Sequence, residues 1–500
     1  MTKIILFLFV FLNILYPQTL HLSLTNLPSR INPILATDSS SGEIADWVFS
    51  SLLKYDKNGT IVGDMAKKFY FEDNKTLIID IKEGITWHDG ETFTAKDVKF
   101  TFDLINSKEV ITPYKDEFRM VSFVEVINPY SLRIGYKHPY YKALHIWMMG
   151  ILPYHLLKDE KSLMTSEFNR HPVGTGAYTL KSFEAGSDIT LKSFKNYHLG
   201  EPRIKKVLYH IVPDSNAQFL MLKARELDVG ALSALQLERQ LDDEFKSYYI
   251  TEELVSHAYD YVGFNLKSEK FKDVRVRRAL TLAVNRKELS DILFFSHARV
   301  CEGPFLPKTF AYNKDITTPY NLELAKKLLN EAGFSDKNPF NFELVTSSNN
   351  HTRGYAAQII QYQLAKIGVK MDIRIMEWQA FLNTVILPGK FDAMLLGWAL
   401  SLMPDPYSIW HSDNDKPGGF NLIGYKNSDV DDLIERSQKE TSEKKLSIMY
   451  KKIYELIVKD YAYIFLYIPK DLYAISRKLE GVEPSIIGIM HNRHEWIKNE

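Results

Sequence analysis

Five hundred residues, at roughly 150 per domain, suggest about three domains and enough chain to bury a sizeable core without staples. Lys+Arg 62 against Asp+Glu 62 leave a formal net charge of +0, which excludes both the basic field of a nucleic-acid binder and an acidic tail. A single cysteine, Cys301, excludes an intramolecular disulfide, and as one thiol in Val300-Cys301-Glu302-Gly303-Pro304 it reads as a structural side chain rather than a nucleophile.

Met1-Thr2-Lys3 precedes an apolar run from Ile4 to Tyr16, broken by Asn13 and closed by Pro17. At about 13 residues the run is too short to span ~30 Å of hydrocarbon and has the length of the apolar part of an export signal. Tyr16-Pro17-Gln18-Thr19 lacks a small-x-small cleavage pattern, so an uncleaved anchor stays open. Leu20, Leu22 and Leu24 then alternate with polar residues as a first strand, and Thr37 to Gly42 form a polar loop ahead of a helix carrying Ile44, Trp47 and Val48. Leu53 to Thr60 reads as a hairpin with Asn58-Gly59 at its tip.

The most ordered local stretch is Thr76 to Ile105. Leu77, Ile79 and Ile81 alternate as a strand, Trp87-His88-Asp89-Gly90 turns the chain, and Thr94 with Asp97 approximates a capping box for a helix carrying Ala95, Val98, Phe102 and Ile105. Val121 to Ile127 and Ser131 to Tyr136 form another hairpin. Trp147-Met148-Met149 reads as core rather than as a metal ligand set. Gly174-Thr175-Gly176 suggests a phosphate loop only in isolation, because strands follow it at Tyr178 to Phe183 and Ile189 to Phe194, around Glu184-Ala185-Gly186, where a nucleotide loop would open a helix.

Asp214 caps a helix, a domain boundary falls just before Tyr261, and Asp273 caps a second helix whose Arg275, Arg277 and Arg278 read as a solvated face or salt bridges rather than a binding patch. Asn321 opens a further helix closed by Gly333. From Phe340 strand and helix alternate (Phe342 to Val345, a helix closed by Gly368, Val369 to Ile375, a helix from about Glu377, then Phe391 to Gly397), which argues for βαβ units with ligands near strand ends. Two helices and a strand from Ala462 to Ile468 close the pattern. Without any family likeness the residues support a mixed α and β chain and no more.

Several segments together carry a likeness: the strand-turn-helix run IKEGITWHDGETFTAKDVKFTF, His171 to Tyr178, Lys195 to Pro202, Leu227-Asp228-Val229, Tyr261 to Leu266, and Trp398 to Pro406. Over about residues 20 to 475 the chain resembles the bacterial family 5 extracellular solute-binding proteins, the dipeptide, oligopeptide and nickel receptors of ABC transporters. That resemblance implies an α/β, two-lobed periplasmic binding protein-like fold (type II, cluster C like) with an extra small inserted domain. It divides the chain into a signal peptide at 1–19, lobe I from 20–37, 160–258 and 469–500, the insert at 38–159, and lobe II at 259–468. It further implies no cofactor, a peptide or other small-molecule ligand, permease subunits in the inner membrane as partners, a monomer, and a periplasmic location. No cysteine lies near the signal to carry a lipid.

Ligand-binding positions follow from the same resemblance. The loop at Thr37 and Ser39 lies beside the ligand, and Trp398 packs on it. Peptide-binding members have an aspartate about three residues after that tryptophan to pair with the peptide ammonium; Ser401 stands there, with Asp405 of the Asp-Pro pair one residue further away than usual and Tyr407 just after. Dipeptide-type receptors also carry an arginine before the helix that here starts near His351, and the sequence offers none ahead of Arg353. An enclosed terminus without an ionic partner costs several kcal/mol, so the ligand is expected to be a longer peptide or an unrelated solute such as a nickel complex, an oligosaccharide or an opine. A ligand sensor is another reading. An exported hydrolase is the remaining alternative: no Gly-x-Ser-x-Gly or His-Glu-x-x-His occurs, and the His491 and His494 pair reads as solvated at a frayed terminus.

Overall fold

The computed structural model describes residues 18–183 and 188–499; the expected export signal up to Pro17 and the turn at Glu184-Ala185-Gly186 lie outside them. The alternation at the start of the chain becomes strand Thr19–Leu24, which buries Leu20, Leu22 and Leu24. It runs parallel to Lys206–Ile211, and Ile189–Ser193 and Tyr178–Ser182 complete a four-stranded sheet. A second four-stranded sheet, antiparallel throughout, is built from Ala66–Asp73, Thr76–Ile81, Ser131–Tyr136 and Val121–Asn128. One continuous hydrophobic core joins these two sheets.

The local expectations hold where capping and turn chemistry are strongest. Helix Ala95–Asn106 starts with the Thr94 N–H donating to the Asp97 carboxylate at 2.8 Å. Asn58-Gly59 forms the tip between Leu53–Tyr55 and Ile61–Gly63, with Gly59 at φ +78°. Gly174 and Gly176 let the chain press against the end of helix Ser39–Val48: a Cβ on Gly174 would lie 1.9 Å from the Val48 carbonyl oxygen, and the Gly176 N–H donates to that oxygen at 2.8 Å. The Gly-Thr-Gly segment is therefore a close-packing device.

An eight-stranded sheet organises the second half of the chain. Asn341–Ser347, Lys370–Met376 and Ala393–Ala399 pair in parallel, as the alternating pattern from Phe340 requires, and Ala258–Phe264 joins them antiparallel. The strand read as Ala462 to Ile468 is in fact Tyr463–Ser476. Its first half pairs with Ala258–Phe264, and beyond Pro469 it pairs with Tyr249–Val255 and Val229–Ala231, so one strand runs through both halves of the sheet. Hydrophobic cores cover both faces of this sheet.

Arginine takes up structural work here. Arg277 is buried, with its guanidinium donating to the carbonyls of Phe271, Lys272 and Asp460, and Arg275 pairs with Asp273. Arg225 holds a left-handed backbone at φ +64°. Cys301 is buried, and that burial pushes its thiol pKa up to about 12. A thiol reagent at pH 8 is therefore expected to leave native Cys301 unlabelled and to label it fully once the chain is unfolded, a difference that mass spectrometry reads directly.

Candidate functional site

A cavity of about 920 Å³ lies where residues 33–64, 114–150, 254–258 and 471–494 meet. Helix Ser39–Val48 forms one wall. Its N-cap, Asp38, accepts from the Ser41 N–H at 2.9 Å, and its inward face buries Ile44, Ala45, Trp47 and Val48. The opposite face turns Glu43 and Asp46 into the cavity. Met148, Met149 and His145 line a second wall from the insert, while Ser256, His257, Ala399 and Asp471 come from the strands that connect the lobes. His491, Arg493 and His494 close the remaining side.

This last wall corrects one expectation. The C-terminal histidines are not on a frayed end: Trp496 is fully buried, its indole donates to Asn492 at 3.0 Å, and Lys498 pairs with Asp228 at 2.7 Å. An aromatic anchor and a buried ion pair hold the segment against the first lobe.

The cavity's charges are unevenly matched. Arg493 lies over the Trp47 ring at 4.1 Å and pairs with Glu43 at 3.3 Å. Lys54 and His198 both reach Asp64 at 3.2 Å, and Glu117 lies 3.6 Å from Lys142. Burial, with Lys142 nearby, pushes His145 down to about 4, and burial likewise lowers His494. Asp471 is raised by burial, opposed by a hydrogen bond from Ser256. Asp46 is exposed and has neither a salt bridge nor a side-chain hydrogen bond among the described residues.

Several contacts join residues 116–142 to residues 405–450. Lys142 is buried and sits 2.6 Å from the Asp405 carboxylate. Burial alone would lower the Lys142 pKa, but Asp405 and Glu117 outweigh it and raise it. The hydroxyls of Tyr141 and Tyr450 meet at 2.5 Å, and Arg119 lies 3.7 Å over the Tyr407 ring while donating to Gln438. Further bridges join Lys416 to Asp116 and His351 to Asp214.

Among the described residues, the six side chains named from the sequence do not line the cavity itself, although their neighbours Ala36 and Ala399 do. Thr37 and Ser39 are exposed beside it. Trp398 is half-buried, parallel to Tyr261 at 6.1 Å, with its indole donating to Tyr463 at 3.3 Å. Ser401 is exposed and donates to the Met403 carbonyl at 2.6 Å. Asp405 is engaged by Lys142 and by the Tyr407 N–H at 3.0 Å, and Tyr407 is buried under Arg119. Arg353 makes a two-bond pair with Asp260, at 2.8 and 3.0 Å. Sequence reasoning missed Asp46, the methionine pair and the C-terminal wall, because only the tertiary fold brings them to one place. No group of three or more His, Cys, Asp or Glu poised for a metal occurs among the described residues, and no described helix is long and apolar enough to cross a membrane.

The family model "Bacterial extracellular solute-binding proteins, family 5 Middle" matches residues 60–420. The oligopeptide-binding protein AppA of Bacillus subtilis is 32% identical over 489 residues, covering 94% of this chain and 89% of that protein. Its solved structure in complex with a nonapeptide superposes with a TM-score of 0.91, at 30% identity over 97% of this chain and 99% of that one. NikZ from Campylobacter jejuni, solved with Ni(L-His), gives a TM-score of 0.89 at 26% identity, covering 96% and 99% of the two chains. Two-lobed periplasmic binding proteins thus share both this architecture and nearly its full length, and the chain belongs to the family 5 bacterial extracellular solute-binding proteins.

Proposed function

We propose that the protein captures a peptide in the cleft between its lobes and presents it to the permease subunits of an ABC importer in the inner membrane. The carrying observation is the cavity of about 920 Å³, near the upper end of the ~300–1,000 Å³ range of small-ligand sites, in a chain that aligns along its length with a protein solved holding a nonapeptide. A ligand works here by stabilising the closed arrangement over an open one through its differential contacts. In this reading lobe I comprises 20–37, 160–258 and 469–500, lobe II comprises 259–468, and 38–159 is the insert. Thr37, Ser39, Trp398 and Ser401 meet the ligand at the rim beside Ala36 and Ala399, while Asp405 and Tyr407 act by holding the lobes together. The mature chain works in the periplasm as an exported, non-lipidated monomer, needs no cofactor and releases its ligand unchanged.

A thermal-shift series of di- to nonapeptides tests this reading. A bound peptide at a hundredfold excess over its Kd adds about 2.7 kcal/mol to stability, so melting is expected to rise by several degrees, with the peptide recovered intact by mass spectrometry. A shift produced by a nickel–histidine complex, a sugar or an opine, with every peptide silent, would replace the ligand class.

A further inference from the structure

We propose that Asp46, on the first-lobe wall of the cleft, is the anionic partner of an alkylammonium group on the ligand, and that cation recognition in this chain has moved there from the second-lobe segment after Trp398. The proposal rests on the peptide-receptor reading above and assigns it a residue.

The argument is an accounting of charge inside one cavity. Glu43, Asp46, Asp64, Glu117 and Asp471 all line it. Glu43 has Arg493, Asp64 has Lys54, and Glu117 has Lys142; the Asp471 carboxylate is hydrogen-bonded by Ser256. The Asp46 carboxylate alone in this set faces the cavity with no hydrogen bond or salt bridge among the described residues, although its side chain is accessible from the cavity space. Asp46 is exposed on the cavity wall, so its unpaired carboxylate is open to an incoming cation. A ligand ammonium supplies the missing charge and makes the charge-assisted hydrogen bonds that no protein group makes.

The second-lobe alternatives are already engaged. Asp405 is held by Lys142 at 2.6 Å and by the Tyr407 N–H, so drawing it to a ligand would strip a buried lysine of its partner. Ser401 carries no charge, and its hydroxyl is turned to the Met403 carbonyl. Placing the anion on helix Ser39–Val48 has a structural basis too, because Gly174 and Gly176 clamp the end of that helix and fix its register against the cleft.

The test uses the full mature protein and three probes in calorimetry at pH 7: penta-alanine with a free N-terminus, its N-acetylated form, and the N-acetylated form with a central lysine. Wild type is expected to prefer at least one amine-bearing probe over the acetylated one by about tenfold or more, the scale of a charge-assisted hydrogen bond. Which probe wins says whether the α-ammonium or a lysine side chain is the source. Asp46→Asn should erase that preference while binding the acetylated probe as before, and its unliganded melting temperature at pH 7 should equal or exceed that of wild type; Asp46→Ser repeats the measurement if the first variant folds poorly. Asp103→Asn removes the same charge from the exposed face of helix Ala95–Asn106, outside the cavity, and should keep the wild-type preference. An undiminished preference in both Asp46 variants, or an equal loss in Asp103→Asn, overturns the assignment and leaves the receptor reading standing. If wild type binds none of the three probes, the peptide reading falls and takes this assignment with it.

Discussion

Arg353→Met is expected to lower the stability of the second lobe by about 3–5 kcal/mol, the cost of leaving a buried charge without its partner. Asp260 is buried, and Arg353 holds it through Nε and Nη2 at 3.0 and 2.8 Å. For Arg353, burial lowers the pKa, and the Asp260 charge and its hydrogen bond more than restore it. Gly397 makes room for the pair, since a Cβ there would lie 2.3 Å from both the guanidinium and the carboxylate. At roughly 2–4 °C per kcal/mol for a lobe of this size, the melting temperature should fall by about 10 °C. The double variant Arg353→Met/Asp260→Leu should recover most of that loss, because removing both charges leaves no uncompensated ion. Recovery of nothing would mean that the ion pair is not what the site lacks in the single variant.

Lys142→Met should act on closure. Its ammonium sits between Asp405 of the second lobe and Glu117 of the insert, and in an open arrangement Asp405 would regain water. The penalty therefore falls on the closed state, and ligand affinity should weaken by about 2–5 kcal/mol, mostly through faster release, as for truncating one member of a buried interfacial pair. The unliganded melting temperature should move little. Stopped-flow Trp fluorescence separates the two rates; a variant that loses affinity only through slower association would assign Lys142 to steering instead of closure.

Fold was legible in the sequence wherever one local signal settled one local conformation. Thr94 and Asp97 announce their helix, Asn58-Gly59 its hairpin, and the apolar alternation from Phe340 its parallel strands, because each depends on neighbours in the chain. The ordered C-terminus was not legible, because Trp496 is buried only by the tertiary fold. The cleft was much less legible. On helix Ser39–Val48 the face bearing Glu43 and Asp46 has the pattern of any solvated helix side, and only the packing of distant segments encloses it. Met148 and Met149 read as core because a cavity wall and a core wall have the same composition. Asp405 reads as open to a ligand because sequence shows a charge without showing its partner.

The strand Tyr463–Ser476 passes between the lobes with Pro469 near the point where its partners change. Proline supplies no ladder donor, so a bend at that point costs no hydrogen bond that a flat strand would have kept. Mechanical compliance is therefore concentrated at one place on the sheet. Val255, Ser256, His257 and Ala258, which lie at the same crossing, also form part of the cavity wall. The stretch of sheet that lacks a ladder donor and the wall that an occupant would touch are therefore the same few residues.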